Sequence, residues 1–337
     1  MVFLKSFSCF SISEKVADCA SEDGVGSYSA TTPTAKTTVT IDVKKFSWEE
    51  IKKRSRNFSR VIGSGGFSTV YLARLPDSGL TAVKIQSACT ERLAGIHDQE
   101  LQILLRLKHP NIVKFLGHCD DREDERALLF EYASKGTLHD KLHGGNTRTL
   151  TWKARTAIAF QLAGALEYLH SIQIIHGDIK ASNILLDEKE NCKLCDFGSA
   201  KLGFTSMVLP PSSTKRNRMI MGSQGYIDPQ YLKTGLVSNK NDIYSYGIVL
   251  LELVTGREAF CLERREMLSE IIGPVMRGVV GVAEVMDPRL RGLADMKEVE
   301  AMVSMAGMCI GSLPMARPCA NEIIASMRDI FESISHL

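Results

Sequence analysis

From Arg60 to Ile85, apolar and polar positions alternate in short runs around a glycine turn. The pattern predicts strand, glycine turn, strand, then a third strand ending in Ala82-Val83-Lys84-Ile85. Residues 91–108 change to a helical period, with Leu101, Leu104, Leu105 and Lys108 on one inward stripe. His109-Pro110-Asn111 then breaks the helix. Two more strands are predicted near 112–118 and 126–132. The chain up to Tyr132 therefore reads as a small lobe of sheet with one helix. After Gly136 it turns mainly helical. Ile158, Leu162, Ala165, Leu166 and Leu169 share one helix face. Short strands flank 184–195, and residues 198–222 are polar and loop-like. Asp242 to Val254 is almost wholly apolar, which predicts a helix buried on all sides. No internal repeat is evident.

Residues 1–45 are rich in Ser and Thr and read as a flexible tail. A lead-in segment, 46–57, carries a short helix, and 333–337 form a C-terminal tail. The 337 residues carry 41 Lys and Arg against 39 Asp and Glu. That near balance gives no ground for a nucleic-acid partner. An apolar content of 44% is enough for a large core. Nine scattered cysteines suit a reducing compartment. Cys192 and Cys195 read as buried strand thiols rather than half of a zinc or redox motif. No apolar run reaches the roughly 18 residues of a membrane span. The N-terminus lacks the glycine that myristoylation requires and is a poor signal peptide. Cys9 and Cys19 read as ordinary thiols, with palmitoylation as the alternative.

Gly63-Ser64-Gly65-Gly66-Phe67-Ser68-Thr69-Val70 brings backbone N–H groups close to a polyphosphate. A dinucleotide site would continue into a helix with an acidic residue about 20 positions on. Here a strand follows and Lys84 stands instead, so the turn reads as a lid over nucleotide phosphates. Lys84 needs a carboxylate if it is buried. Glu91, Asp98 and Glu100 qualify by charge, and only Glu100 lies one turn before Leu104 on the inward side. The strongest cluster is Ile175-His176-Gly177-Asp178-Ile179-Lys180-Ala181-Ser182-Asn183, then Asp187, then Leu194-Cys195-Asp196-Phe197-Gly198. Asn183 and Asp196 offer the hard oxygen ligands that suit Mg²⁺. Asp178 is placed to take a hydroxyl proton, and Lys180 to balance charge on a transferring phosphoryl group.

Over residues 58–332 the sequence resembles the protein kinase superfamily, on the ordered set of glycine loop, strand lysine, catalytic loop and Asp-Phe-Gly. Lys180 resembles the serine/threonine branch. Further matches are Phe46-Ser47-Trp48-Glu49-Glu50-Ile51, the run from Gly222 to Tyr231, Asn241-Asp242-Ile243-Tyr244-Ser245-Tyr246-Gly247, Cys309, and Pro314 to Pro318. Together they resemble plant receptor-like cytoplasmic kinases of the Pelle-related group. The resemblance implies an α+β, two-lobed fold. The N-lobe, 58–132, would be a five-stranded antiparallel sheet plus one helix, and the C-lobe, 133–332, mainly helical. It implies ATP and Mg²⁺ as cofactors and protein Ser/Thr hydroxyls as acceptors. It implies a cytoplasmic chain, with peripheral attachment at the plasma membrane beside a receptor kinase left open. Val70, Ala82 and Leu185 would sandwich the adenine, Ile62 would be a further ATP-binding residue, Phe130 would be the gatekeeper, and Glu131 to Ala133 the hinge. Phe115, Leu104, Phe197 and His176 would stack as a regulatory column, and Cys195 would line the pocket as a free thiol.

Three positions depart from the family pattern. Ser68 stands where a third glycine is common. Gly177 replaces the arginine that receives an activation-loop phosphate, so strong dependence on phosphorylation at Thr205, Ser206, Ser212, Ser213 or Thr214 is not expected. Gln230 replaces a glutamate that pairs with a buried arginine, here Arg317. Asp228 or water is left as the compensating partner, and a catalytically weak scaffold that binds ATP and signalling partners is the rival reading.

Overall fold

The computed structural model describes residues 43–66, 68–145, 149–203 and 221–330. Phe67, Cys9, Cys19 and the five candidate phosphate acceptors from Thr205 to Thr214 lie outside these residues. The N-lobe comprises β1 (Lys44–Lys45), α1 (Trp48–Arg54), β2 (Val61–Ser64), β3 (Ser68–Leu75), β4 (Gly79–Ser87), α2 (Glu91–Leu104), β5 (Phe115–Cys119) and β6 (Glu125–Glu131). Its sheet runs β1-β5-β6-β4-β3-β2.

Period-two alternation divides these strands between two cores. Val83, Ile85, Ala127 and Leu129 pack outward with Phe46, Trp48 and Ile51. Ala82, Leu128 and Phe130 face inward to the main core. The turn into β4 closes at Gly79, whose φ of 69° suits glycine.

Five strands are antiparallel, as the sequence leads one to expect, but a sixth joins them. Lys44 and Lys45 pair in parallel with Gly117 and His118. The expected flexible tail therefore ends before Lys44. Gly117 permits the pairing, because a Cβ there would lie 2.3 Å from the Lys44 carbonyl oxygen. A second correction concerns α2. It stops at Leu104 and continues only as tight turns, with Arg106 N–H on Ile103 O and Leu107 N–H on Leu104 O. Its buried face is His97, Glu100, Ile103 and Leu104, while Lys108 is exposed.

The C-lobe runs α3 (Leu138–His143), α4 (Trp152–Ser171), β7 (Ile174–Ile175), β8 (Ile184–Leu186), β9 (Cys192–Leu194), β10 (Lys201–Leu202), α5 (Pro229–Thr234), α6 (Asn239–Thr255), α7 (Leu268–Met276), α8 (Val282–Val285), α9 (Met296–Cys309) and α10 (Ala320–Ile330). Helix α6 is buried on all sides: Ile248, Val249, Leu250, Leu251, Leu253 and Val254 are fully enclosed. It forms a rigid post beneath the loop that carries Asp178. Among the described residues, no helix is long and apolar enough to cross a membrane.

Candidate active site

Lys84 lies mid-strand on β4, where pleating aims it inward between the lobes. Its ammonium donates to Glu100 Oε1 at 2.8 Å and to Asp196 Oδ1 at 2.8 Å. Glu100 is the α2 carboxylate that reaches it. Glu91 is exposed, and Asp98 pairs with Arg126 instead. Burial disfavours the Lys84 charge, but Asp196 and Glu100 outweigh it and hold the pKa well above the ordinary lysine value. Burial likewise works against the Asp196 charge, and the Lys84 ammonium overrides it, holding the carboxyl below its usual range. Asp196 has φ 65°, a left-handed conformation that is uncommon without glycine and is found at functional sites.

The glycine turn joins β2 and β3 above this cluster. Gly65 N–H donates to Ser68 O at 2.7 Å. Ser64 pairs with Thr69 and Gly63 with Val70. A Cβ at Gly66 would meet nothing within 4 Å, so the tip stands clear of protein. Ile62, Val70, Ala82 and Leu185 are half-buried, and the gatekeeper candidate Phe130 is buried against Phe115 at 5.7 Å. The backbone N–H of Glu131 is taken by Lys114 O at 3.0 Å. Its side chain is taken by Lys193 and by the Lys114 N–H, both at 2.9 Å. The Glu131 backbone N–H and side chain are therefore both engaged within the fold. Cys192 and Cys195 are buried free thiols, and burial pushes the Cys195 thiol up.

The loop that carries Asp178 is held from below. Asp242, at the start of α6, accepts from His176 N–H at 2.9 Å and from Gly177 N–H at 2.8 Å. His170 Nε2 meets the same carboxylate at 3.0 Å. The His176 ring packs edge-on to Phe197 at 4.9 Å, which ties this loop to the Asp-Phe-Gly segment. Gly177 has φ 77°, and a Cβ there would lie 2.9 Å from Ser199 O, so an arginine would be both strained and crowded.

Above this support, Lys180 Nζ lies 2.7 Å from Asp178 Oδ2 and 2.8 Å from Ser223 Oγ. Ser223 in turn donates to Asp178 Oδ1 at 2.8 Å. The sequence reading gave Ser223 no role, and it lies 45 residues from Asp178. Nor did it assign one to Asp242, whose contact depends on the seating of α6. Asn183 Nδ2 donates to the Asp178 carbonyl at 2.9 Å and to its carboxylate at 3.1 Å. Its Oδ1 is buried with no hydrogen-bond partner among the described residues. The Asn183 backbone carbonyl accepts from Cys195 N–H at 2.9 Å, next in sequence to Asp196, and an orphan amide oxygen with a carboxylate is the kind of donor pair a hard divalent cation takes, so the residues fit one.

The concern over Gln230 is answered by Asp228. Both Asp228 oxygens meet the buried Arg317 guanidinium, at 2.5 Å and 3.0 Å. The main-chain oxygens of Gly311 and Lys240 take further Arg317 N–H groups. Arg317 therefore keeps a carboxylate although position 230 supplies none.

Residues 56–327 match the family model described as protein kinase domain. The chain is 47% identical over 306 residues to a probable receptor-like protein kinase of Arabidopsis thaliana, covering 86% of this chain and 89% of that one. It is 46% identical over 304 residues to salt tolerance receptor-like cytoplasmic kinase 1 of Oryza sativa subsp. japonica, covering 87% and 82%. Identity to wall-associated receptor kinase 3 of Arabidopsis thaliana is 36% over 295 residues, 85% of this chain but 39% of that longer protein. With a two-lobed fold, a lysine–carboxylate bridge across the cleft and a match over most of its length, the chain belongs to the protein kinase family.

Proposed function

We propose that this protein is an active serine/threonine kinase of plant receptor-linked signalling that uses MgATP. The carrying observation is the triangle of Asp178, Lys180 and Ser223 beside the Lys84–Glu100–Asp196 bridge. Lys84 is placed to hold the α- and β-phosphates, and Asn183 and Asp196 to hold Mg²⁺. The metal supplies charge neutralisation on the phosphates. Asp178 orients the acceptor hydroxyl and takes its proton. The acceptor oxygen bonds to the γ-phosphorus, the bond to the bridging β–γ oxygen breaks, and ADP leaves. Lys180 offsets charge on the moving phosphoryl group. A cleft lined by Asp178, Met221, Ser223, Ile227 and Tyr231 gives an extended peptide access to Asp178.

The relatives' names support a plant receptor-like setting, and the Oryza relative's name supports a cytoplasmic one. The Pelle-related grouping rests on the sequence motifs. Crowding at Gly177 supports activity that does not wait on an activation-loop phosphate, and alanine changes from Thr205 to Thr214 should then leave most activity. The rival scaffold reading drew mainly on Gln230, and the Asp228–Arg317 pair removes that ground.

The test is transfer of radiolabel from ATP to a generic protein acceptor. Wild type should label it, and Asp178→Asn should lose roughly a hundredfold or more, the scale of positioned acid–base catalysis. Equal labelling by both proteins would sink the proposal.

A further inference from the structure

The Lys84–Glu100 bridge does not end at Glu100. Gln86 lies two residues after Lys84 on the same face of β4, and it is buried. Its Nε2 donates to Glu100 Oε2 at 2.7 Å, while Lys84 holds Oε1. A carboxylate only accepts, so the amide must turn its NH₂ toward Glu100 and its oxygen away. That oxygen meets His97 Nδ1 at 2.5 Å. His97 is 1% exposed and sits on α2, one turn before Glu100. Its Nδ1 must therefore donate, which fixes the tautomer. Burial first, and then the Arg126 guanidinium, push the His97 pKa down to about 4, so the ring is neutral near pH 7.

We infer that His97 and Gln86 are positioning residues for the nucleotide-phosphate lysine, forming a buried relay that clamps Glu100 from the side opposite Lys84. Both Glu100 oxygens are then pinned, one by β4's lysine and one by β4's glutamine. The carboxylate plane cannot rotate without breaking a buried hydrogen bond. His97 returns the far end of the relay to α2, so the helix and the strand are cross-linked twice through one side chain. Gln99 adds an anchor, its amide donating to Ala200 O at 2.5 Å beyond the Asp-Phe-Gly segment. Gln86 and His97 are not among the residues assigned to hold the nucleotide. Its effect reaches ATP only through Lys84.

This inference rests on the ATP-binding part of the proposed function, and its test does not depend on turnover. Binding of MgATP and of adenosine is measured by calorimetry on the full chain, as wild type, Gln86→Met and His97→Phe. Adenosine has no phosphates for Lys84 to hold. Gln86→Met should weaken MgATP about fivefold, the scale of one net hydrogen bond, and leave adenosine unchanged. His97→Phe should act in the same sense and more weakly. It also serves as the second variant if Gln86→Met does not fold. In a Glu100→Gln background, Gln86→Met should add nothing further, because the relay acts through that carboxylate. Equal weakening of both ligands, or no weakening of MgATP, would overturn the relay. Wild type that binds MgATP but transfers no phosphoryl group would end the kinase reading and leave the relay standing.

Discussion

At the scale of single residues, Ser223 is the least conspicuous member of the site. Its hydroxyl accepts from Lys180 and donates to Asp178, so it fixes the direction of both. Ser223→Ala should lower kcat by roughly tenfold or more, as loss of a charge-assisted hydrogen bond predicts, with KM for ATP little changed. Ser223→Thr keeps the hydroxyl and should retain most activity. Asp228 is the residue-scale counterpart for stability. Burial pushes its carboxyl up, but Arg317, the Gln230 backbone N–H and Asn241 outweigh that and hold it below the ordinary range. A depressed folded pKa gives stabilisation that is present above the unfolded value of about 3.9 and lost as pH falls through the folded one. Chemical denaturation should therefore show stability falling below about pH 4, and Asp228→Ala should cost about 3–5 kcal/mol at neutral pH by stranding Arg317. Gln230→Glu should move the midpoint little, since Arg317 already has its carboxylate.

At the scale of elements, α1 and β1 act as a clip over the outer face of the sheet. The α1 N-terminus is anchored where Trp48 N–H donates to the Asp121 carboxylate at 3.0 Å. The Trp48 ring packs on Phe58 at 5.5 Å, under the Arg122 guanidinium at 5.0 Å. Trp48→Ala should cost about 3–5 kcal/mol, read as a lower thermal midpoint, while phosphoryl transfer at low temperature persists. Unchanged stability would mean that the clip is dispensable. The alternating strands and α1 were legible in the sequence because each carries its own apolar signal. Strand β1 was not, since Lys44 and Lys45 are both exposed and hold their place by backbone pairing at Gly117. In the site, Lys84, Asp178, Asn183 and Asp196 stood in short motifs whose spacing carries their chemistry. Ser223, Asp242 and the Gln86–His97 relay did not, because their partners come from other elements and no local pattern encodes that meeting. The α2 stripe was misread in part: Lys108 lies past the helix and is exposed, while His97, a polar group that a search for apolar periodicity passes over, is on its buried face.

At the scale of the whole molecule, the two lobes meet at the nucleotide site. Lys84 reaches from the N-lobe sheet to Asp196 in the C-lobe. Beside it, Val113 N–H donates to Leu194 O at 2.9 Å and Leu194 N–H to Asn111 O at 2.8 Å, so β9 is stitched to the chain leading into β5. A ligand that engages Lys84 and Asp196 together must stabilise the lobes as one unit, and a ligand held by the hinge alone should do so less. Anything that binds only the folded state adds about 2.7 kcal/mol at 100 times its Kd. The thermal midpoint should therefore rise with MgATP and rise less with adenosine at the same multiple of its own Kd if adenosine also binds a partly opened state. Asp196→Asn removes the charge proposed to ligate Mg²⁺ and one of the two carboxylate partners of Lys84 in one step. In that variant the effect of adding Mg²⁺ to ATP should fall sharply, because the pair proposed to hold the metal would then offer no charged ligand. If Mg²⁺ still enhanced ATP's stabilisation to the wild-type extent, Asp196 would not be the metal's charged ligand.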